Sequence, residues 1–272
     1  MEKEVIAIDL GGTNLRVALV RGRKIVKLIK NKTSKTKEGI LKEIFEGIAN
    51  LMNSNVKGIG VGTAGPVFNG VLLNPPNLPF RNYNIKDILK KKFKTRVEVE
   101  NDAHCVALAE LKYGVRKKNF FVLTLGTGIG GGIIIDGKLY SRGGLGGEAG
   151  SIVLDRGENF ESLAGLKGIE RLARKEFSRE IDVKELVGMK DKRAKNVLNV
   201  IFEYYAQGIA SLINIFDPEI VVLAGGLSHN GNFLLNRIRK SVGKYIAYPK
   251  SYKIVASKLN EPGILGAALL LD

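Results

Sequence analysis

The chain repeats its own opening. Val5-Ile6-Ala7-Ile8-Asp9-Leu10-Gly11 is mirrored by Phe120-Phe121-Val122-Leu123-Thr124-Leu125-Gly126, and Ala18-Leu19-Val20-Arg21-Gly22-Arg23 by Ile133-Ile134-Ile135-Asp136-Gly137-Lys138. Gly11 precedes Gly22 by the same interval that separates Gly126 from Gly137. Each copy reads as a strand, a glycine turn, a second strand, a tight hairpin and a third strand. Behind the first copy, Ile40, Leu41, Ile44, Phe45, Ile48, Leu51 and Met52 recur at helical spacing, which predicts a helix over 37–53 and then a buried strand over 56–61. Behind the second, an apolar face from Val197 to Phe216 predicts a long helix over 194–216, a strand over 220–223 and the turn Ala224-Gly225-Gly226. Two α/β halves of the same plan predict two lobes with a cleft between them, and such a cleft is the natural place for a ligand.

Composition narrows the classes. Of 272 residues, 44% are hydrophobic and 26% charged, which supports a folded core and excludes a disordered chain. No apolar run is long enough for a membrane helix, and no signal-peptide core is read near Met1, so a cytoplasmic chain is expected. The only cysteine is Cys105, which rules out an internal disulfide and any zinc site built on several thiolates. The net charge of +16 invites a polyanion partner. The longest basic run, Lys90-Lys91-Lys92 with Lys94, has no interleaved aromatics and belongs to no recognisable nucleic-acid module, so neither nucleic acid nor membrane is expected. A single glutamine and many lysines fit a heat-adapted source.

Two glycine turns carry the chemistry. In Asp9-Leu10-Gly11-Gly12-Thr13-Asn14 the glycines let backbone N–H groups approach an anion closely, Thr13 adds a hydroxyl, and Asp9 at a strand end suits a hydrated Mg²⁺. An ordinary Gly-Gly hairpin accounts for this turn equally well. Leu125-Gly126-Thr127-Gly128-Ile129-Gly130-Gly131-Gly132 holds five glycines in eight residues, more than a hairpin needs. A strand rather than a helix follows it, so it is no dinucleotide fingerprint, and without Gly-Lys-Ser/Thr it is no Walker loop. Two such turns on paired hairpins suggest a nucleotide whose phosphates lie between the lobes. Asn101-Asp102 ends a predicted strand over 96–100. There the carboxylate is either a general base for an attacking hydroxyl or a cap for the next helix, over 103–113; spacing alone leaves both open. His104 reads as a packed or exposed helix residue, His229 as a loop histidine near the nucleotide turn, and Cys105 as a small core residue.

Together these residues resemble the ROK family of sugar kinases and related repressors. The resemblance is carried by Asp9 to Thr13, Gly62-Thr63-Ala64-Gly65-Pro66-Val67, Pro76-Asn77-Leu78, Glu100-Asn101-Asp102-Ala103, Leu125 to Gly132, Gly147-Glu148-Ala149-Gly150, Phe160-Glu161-Ser162-Leu163-Ala164-Gly165 and Asp217 to Gly226. It implies a two-lobed, actin-like (ribonuclease H-like) α/β fold with duplicated βββαβα lobes and an interlobe cleft. The expected lobes are residues 1–103 with 259–272, and 104–258. It implies an ATP-dependent kinase that transfers the γ-phosphoryl to a hexose hydroxyl, O6 of glucose or related hexoses, with Asp102 as catalytic base. Gly65, Asn77, Asn101, Glu148, Ser151 and Glu161 match positions around the sugar. Asp9, Gly11, Gly12, Thr13, Asn14, Thr127, Gly128, Gly225 and Gly226 match positions around Mg-ATP and its adenosine. A homodimer or higher homo-oligomer is implied as well.

The chain departs from the family pattern twice. Many ROK proteins carry a histidine, serving sugar and zinc, where this chain has Ser151, and a cysteine-rich zinc loop where it has Asp155-Arg156-Gly157-Glu158-Asn159-Phe160. No zinc is therefore expected, and a wider pocket accepting several hexoses is. Three alternatives stand beside the kinase. A ROK-type regulator would need an N-terminal DNA-binding segment, for which the strand at Val5 leaves no room. A sugar-independent actin- or Hsp70-like ATPase would not need Asn101, Asp102, Glu148 and Glu161. A kinase drawing on polyphosphate in place of ATP is thinkable from the basic surface.

Overall fold

The computed structural model describes residues 4–141, 144–226, 232–248 and 251–272. His229 lies outside them. The predicted repeat is real at the level of strand order. β1 (Glu4–Leu10), β2 (Asn14–Arg21) and β3 (Lys24–Lys32) form an antiparallel meander, helix α1 (Lys37–Leu51) crosses over, and β4 (Val56–Thr63) returns parallel to β1. Two short strand pairs follow in β5 (Val67–Phe68), β6 (Val71–Leu72) and β7 (Tyr83–Asn84). Helix α2 (Ile85–Phe93) then leads to β8 (Arg96–Asn101), parallel to β4, and to helix α3 (Asp102–Tyr113). The sheet order is β3-β2-β1-β4-β8.

The second copy repeats it. β9 (Phe120–Leu125), β10 (Ile129–Ile135) and β11 (Lys138–Leu139) make the meander. An insertion then carries β12 (Val153–Asp155), β13 (Glu158–Asn159) and helices α4 (Phe160–Ala164), α5 (Leu166–Phe177) and α6 (Val183–Gly188). The long helix α7 (Lys192–Phe216) crosses to β14 (Ile220–Ala224), which lies parallel to β9. Helix α8 (Asn232–Val242) then precedes β15 (Lys253–Ala256), and α9 (Pro262–Leu269) ends the chain. This sheet runs β11-β10-β9-β14-β15, the same arrangement as the first. The sequence reading saw the meander, the crossing helix and the returning strand of each copy, but not α8 and β15 of the second, nor the insertion, whose strands are two or three residues long and show no period.

By packing, the chain divides into two compact units: Met1–Lys118 with Gly132–Gly147 and Lys258–Asp272, and Asn119–Gly131 with Glu148–Ser257. In the first, β1 is buried on both faces, between α1 on one side and α3 and α9 on the other. Glycines make the second contact possible. A Cβ at Gly60 of β4 would collide with the Ala267 carbonyl of α9, and one at Gly266 of α9 with the Cys105 carbonyl of α3. This close seat holds α3, and so Asp102, with the first unit. In the second unit α7 buries Val197, Ile201, Tyr205, Ile209 and Ile213 along one stripe, as its spacing predicts.

Candidate functional site

The first glycine turn is tied from behind. The Gly11 N–H donates to the Asn14 carbonyl at 3.0 Å. Buried Thr33, just past β3, donates its hydroxyl to the Gly11 carbonyl at 2.7 Å and its N–H to the Thr13 carbonyl at 3.0 Å. Thr13 and Asn14 themselves are exposed. Asp9, two residues earlier, sits in a chain of charges: Arg16 Nη1 lies 2.8 Å from Asp9 Oδ2, Arg16 Nε 3.1 Å from Glu261 Oε2, and Lys30 Nζ pairs with Glu261 Oε1. The Arg16 Nε is close to Glu261 but not aimed at it, so that contact is an ion pair without a hydrogen bond. Burial pushes the Asp9 carboxyl above its ordinary value; Arg16 opposes this and Glu261 adds to it.

Against this turn stands the loop Asn74-Pro75-Pro76-Asn77-Leu78-Pro79. A Cβ on Gly12 would lie 2.6 Å from the Asn77 Cβ. Gly65 has φ +84° and would set a Cβ 2.7 Å from the Pro75 Cα, so both glycines are needed for the loop to close down. The Gly65 carbonyl accepts the Asn101 amide Nδ2–H at 3.1 Å. Asn101 also caps α3, accepting from the Ala103 and His104 N–H groups at 2.8 and 3.3 Å. It is therefore Asn101, not Asp102, that serves as the N-cap. Asp102 is the first helical residue, half-buried, with Oδ1 accepting the Ala103 N–H at 2.8 Å. A carboxylate at that position is favoured by the helix dipole. Gly12, Gly65, Asn77, Asn101 and Asp102 thus gather in one unit.

In the second unit the turn after β9 closes with the Gly126 N–H on the Gly128 carbonyl at 3.0 Å. Glu161 is placed directly on it. Its Oε2 accepts the Ile129 N–H at 2.7 Å, and a Cβ on Gly128 would collide with that same oxygen. The neighbours of Glu161 are anchored: Asn159 caps α4 through the Ser162 N–H, Phe160 packs edge-on against Tyr205 at 5.8 Å, and the Tyr205 hydroxyl donates to the Ala164 carbonyl at 2.8 Å. Burial pushes the Tyr205 phenol far up, which keeps it neutral and a donor. Gly225 (φ +91°) abuts the end of β9, with room for no Cβ beside the Leu125 carbonyl, whereas Gly226 faces open space. Glu148 and Ser151 are exposed at the two ends of a one-turn 3₁₀ segment, while Gly150 between them packs on the Ile129 carbonyl. Thr127 is exposed on the turn.

The stretch where the family's zinc loop would fall is a two-residue hairpin, with Arg156 at φ +43° and Gly157 at φ +85°, the signs a type I′ turn requires. Among the described residues no group of three His, Cys, Asp or Glu is disposed to hold a metal ion.

The ROK family model matches residues 5–272. The chain belongs to the ROK family. It is 32% identical to a glucokinase of Thermotoga maritima, over 98% of this chain and 97% of that one. Its fold superposes on a ROK family glucokinase from Streptomyces griseus in complex with glucose and AMPPNP (TM-score 0.87, 27% identity, 98% of each chain covered). It likewise superposes on a ROK hexokinase from Thermus thermophilus (TM-score 0.86, 30% identity, 98% and 97% covered). The expected actin-like fold is the one found.

Three residues of this ROK chain escaped the sequence reading: Thr33, Arg16 and Glu261, each acting through a side chain or backbone group away from its own position. Glu100 stood in a family motif but was given no role. His104 was read as a packed or exposed helix residue. It is packed, 1% exposed, but it is hydrogen-bonded at both ring nitrogens.

Proposed function

We propose that this ROK chain is an ATP-dependent hexose kinase, with the γ-phosphoryl passing to O6 of glucose or a related hexose. The reading rests above all on the gathering of Gly12, Gly65, Asn77, Asn101 and Asp102 around one glycine turn. That arrangement places a carboxylate able to take a hydroxyl proton in the same unit as a glycine turn. The solved Streptomyces griseus relative, in complex with glucose and AMPPNP, supports the substrate pair.

In this mechanism the sugar hydroxyl gives its proton to Asp102 as its oxygen bonds to the γ-phosphorus, and the bond to the β-phosphate oxygen breaks to leave ADP. Glu161, held on the Ile129 N–H, and Glu148 accept from further sugar hydroxyls; Ser151 and Asn77 complete the lining. Asn101 orients Gly65 and the first turn of α3. The turns at Gly11–Asn14 and Thr127–Gly128 donate to phosphate oxygens, and Gly225 and Gly226 pass under the adenosine. Asp9 would hold Mg²⁺ through water. One half-buried carboxylate with substrate phosphates is a donor set that this ion commonly accepts. When bound, the ion offsets phosphate charge.

No described helix is long and apolar enough to cross a membrane. We place the enzyme in the cytoplasm, as a homodimer or higher homo-oligomer, with neither nucleic acid nor membrane as partner and with no zinc.

A panel of hexoses against ATP, ADP and polyphosphate tests the reading. Sugar phosphate formed from ATP is the expected result. ATP hydrolysis at the same rate with and without hexose would favour the sugar-independent ATPase instead, and phosphorylation from polyphosphate alone would replace the donor.

A further inference from the structure

His104 lies on the first turn of α3, two residues past Asp102, and is 1% exposed. Its Nε2 is 2.7 Å from the Gly146 carbonyl oxygen and its Nδ1 3.0 Å from Glu100 Oε1. A carbonyl only accepts, so Nε2 carries a hydrogen and donates it. Glu100 Oε1 also accepts the Asn101 N–H at 2.8 Å, so it faces the ring as an acceptor too.

What the ring holds is a loop with little freedom. The N–H groups of Gly144, Leu145 and Gly146 all converge on the Ser141 carbonyl, at 2.8–3.0 Å. A Cβ at Gly144 would collide with the Val67 carbonyl and come within 3.2 Å of Glu100 Oε1. Leu145 points outward, 45% exposed, so apolar packing of its side chain does not fix the loop. The polar bonds do. Two residues past Gly146 the chain reaches Glu148.

We infer that His104 is a positioning residue for the sugar site: with Glu100 it clamps the Gly144–Gly147 loop, which runs into Glu148, onto the first turn of the helix that opens at Asp102. The geometry stands by itself; its consequence for sugar rests on the kinase reading. A residue that only filled the core would serve as well apolar, but here an apolar side chain leaves the Gly146 carbonyl without its ring donor and Glu100 with the Asn101 N–H alone.

The experiment compares His104→Gln, whose amide reaches roughly as far as Nε2, with His104→Asn, which reaches only as far as Nδ1. In His104→Asn the sugar KM should rise about tenfold, as loss of a buried hydrogen bond implies, with the ATP KM and kcat within about threefold of wild type. In His104→Gln all three should stay within about threefold. Hydrogen exchange of the Gly144–Gly147 amides should quicken about tenfold in the Asn variant and little in the Gln variant. Exchange reports on the clamp even if no hexose proves to be a substrate, so failure of the kinase reading and failure of the clamp are separable. Equal exchange in all three proteins overturns the clamp, and faster exchange with an unchanged sugar KM overturns the positioning role. The chain has two histidines, so ring-nitrogen NMR of histidine-labelled wild type supplies a check that needs no variant. One buried ring with a hydrogen on Nε2 under assay conditions is expected, and a His104 ring without one overturns the clamp.

Discussion

The glycine turn after β1 and the one after β9 hold equivalent places in two sheets of the same strand order, yet each obtains its carboxylate differently. In the first, Asp9 comes from the strand itself and is drawn into a chain of charges with Arg16, Glu261 and Lys30. In the second, the matching position is the uncharged Thr124, and the acid is Glu161, carried in by α4 onto the Ile129 N–H. In each turn one glycine lies under a side chain from a distant segment: Gly12 under Asn77 of a loop, Gly128 under Glu161 of α4. The shared strand order explains where the turns are; the partners that press on them differ. An acid set among cations suits phosphate and metal charge, whereas an acid anchored by a backbone N–H suits the fixed geometry that a sugar hydroxyl needs.

The sharpest way to break this contrast is to remove Asp102, the proposed proton acceptor, which stands with the first turn. Asp102→Asn should lower kcat by roughly 10² to 10⁴-fold, since an amide cannot take the sugar proton, while nucleotide affinity stays near wild type. A sugar-phosphorylation assay with a parallel nucleotide titration measures both. Near-normal turnover in the folded variant would remove Asp102 from its role.

Alanine at three glycines sharpens the contrast next. At Gly12 the obstacle is the root of a side chain, the Asn77 Cβ at 2.6 Å, which cannot swing aside without moving the loop. At Gly128 it is the far end of Glu161, which can move but then gives up the Ile129 N–H. At Gly126 nothing lies within 4 Å. Gly12→Ala should therefore lower Tm most, and Gly128→Ala should raise the sugar KM by about tenfold, the cost of one displaced hydrogen bond to a charged group. Gly126→Ala should change either measure little. Thermal melts and kinetics of the three variants decide it, and a Gly126→Ala as damaging as Gly128→Ala would mean that the turns differ for another reason.

How far these contrasts could be read beforehand depends on the range of the interactions. The repeat, the two turns and the helix behind each were legible because period and glycine spacing are local properties, and α1, β4, α3 and α7 fall within one to three residues of their predicted bounds. Asn101-Asp102 was legible as a pair but not as a division of labour. Only the geometry shows that Asn101 caps the helix and tethers Gly65 while Asp102 begins the helix. Glu161 was legible through family resemblance alone. That it lies on the Ile129 N–H depends on Phe160, Tyr205 and Gly208 packing across α4 and α7, contacts between residues some forty apart that no local pattern announces. Glu100 and His104 were missed as a clamp because their third partner is a backbone carbonyl, to which sequence gives no clue.

A smaller effect is expected at Ser151, on the 3₁₀ turn whose Gly150 packs against the second glycine turn. A serine there offers one short hydroxyl where an imidazole would offer a directed donor, so epimers and 2-substituted sugars leave fewer groups unpaired. Glucose, mannose and glucosamine should have kcat/KM values within about two orders of magnitude of one another, and Ser151→His should widen that spread. Activity on a single hexose, with the others lower by more than about 10⁴-fold, would show that loops such as Asn74 to Tyr83 supply the selectivity instead.

The smallest effect is on stability and depends on pH. Asp9 has its folded-state value raised, chiefly by burial, above the ordinary 3.8 of an unfolded chain. Between those two values the native state binds the extra proton, so stability falls as pH rises through the window and stays lower above it. Thr124 on the matching strand carries no such cost. Asp9→Asn should accordingly melt no lower than wild type at neutral pH, even though it loses the charge proposed to face Mg-ATP. The difference in Tm, variant minus wild type, should shrink on acidification below the raised value and be gone below the ordinary one. Each kcal/mol corresponds to roughly 2–4 °C in a protein of this size, so the whole change amounts to a few degrees. Arg16 keeps Glu261 as a partner at 3.1 Å, which limits what the lost ion pair can subtract. Melting curves of both proteins from pH 3 to 7 in one buffer series measure it; a variant that grows steadily less stable than wild type as pH rises would show that the Arg16 pair, not burial, governs Asp9, and would erase this difference between the two turns.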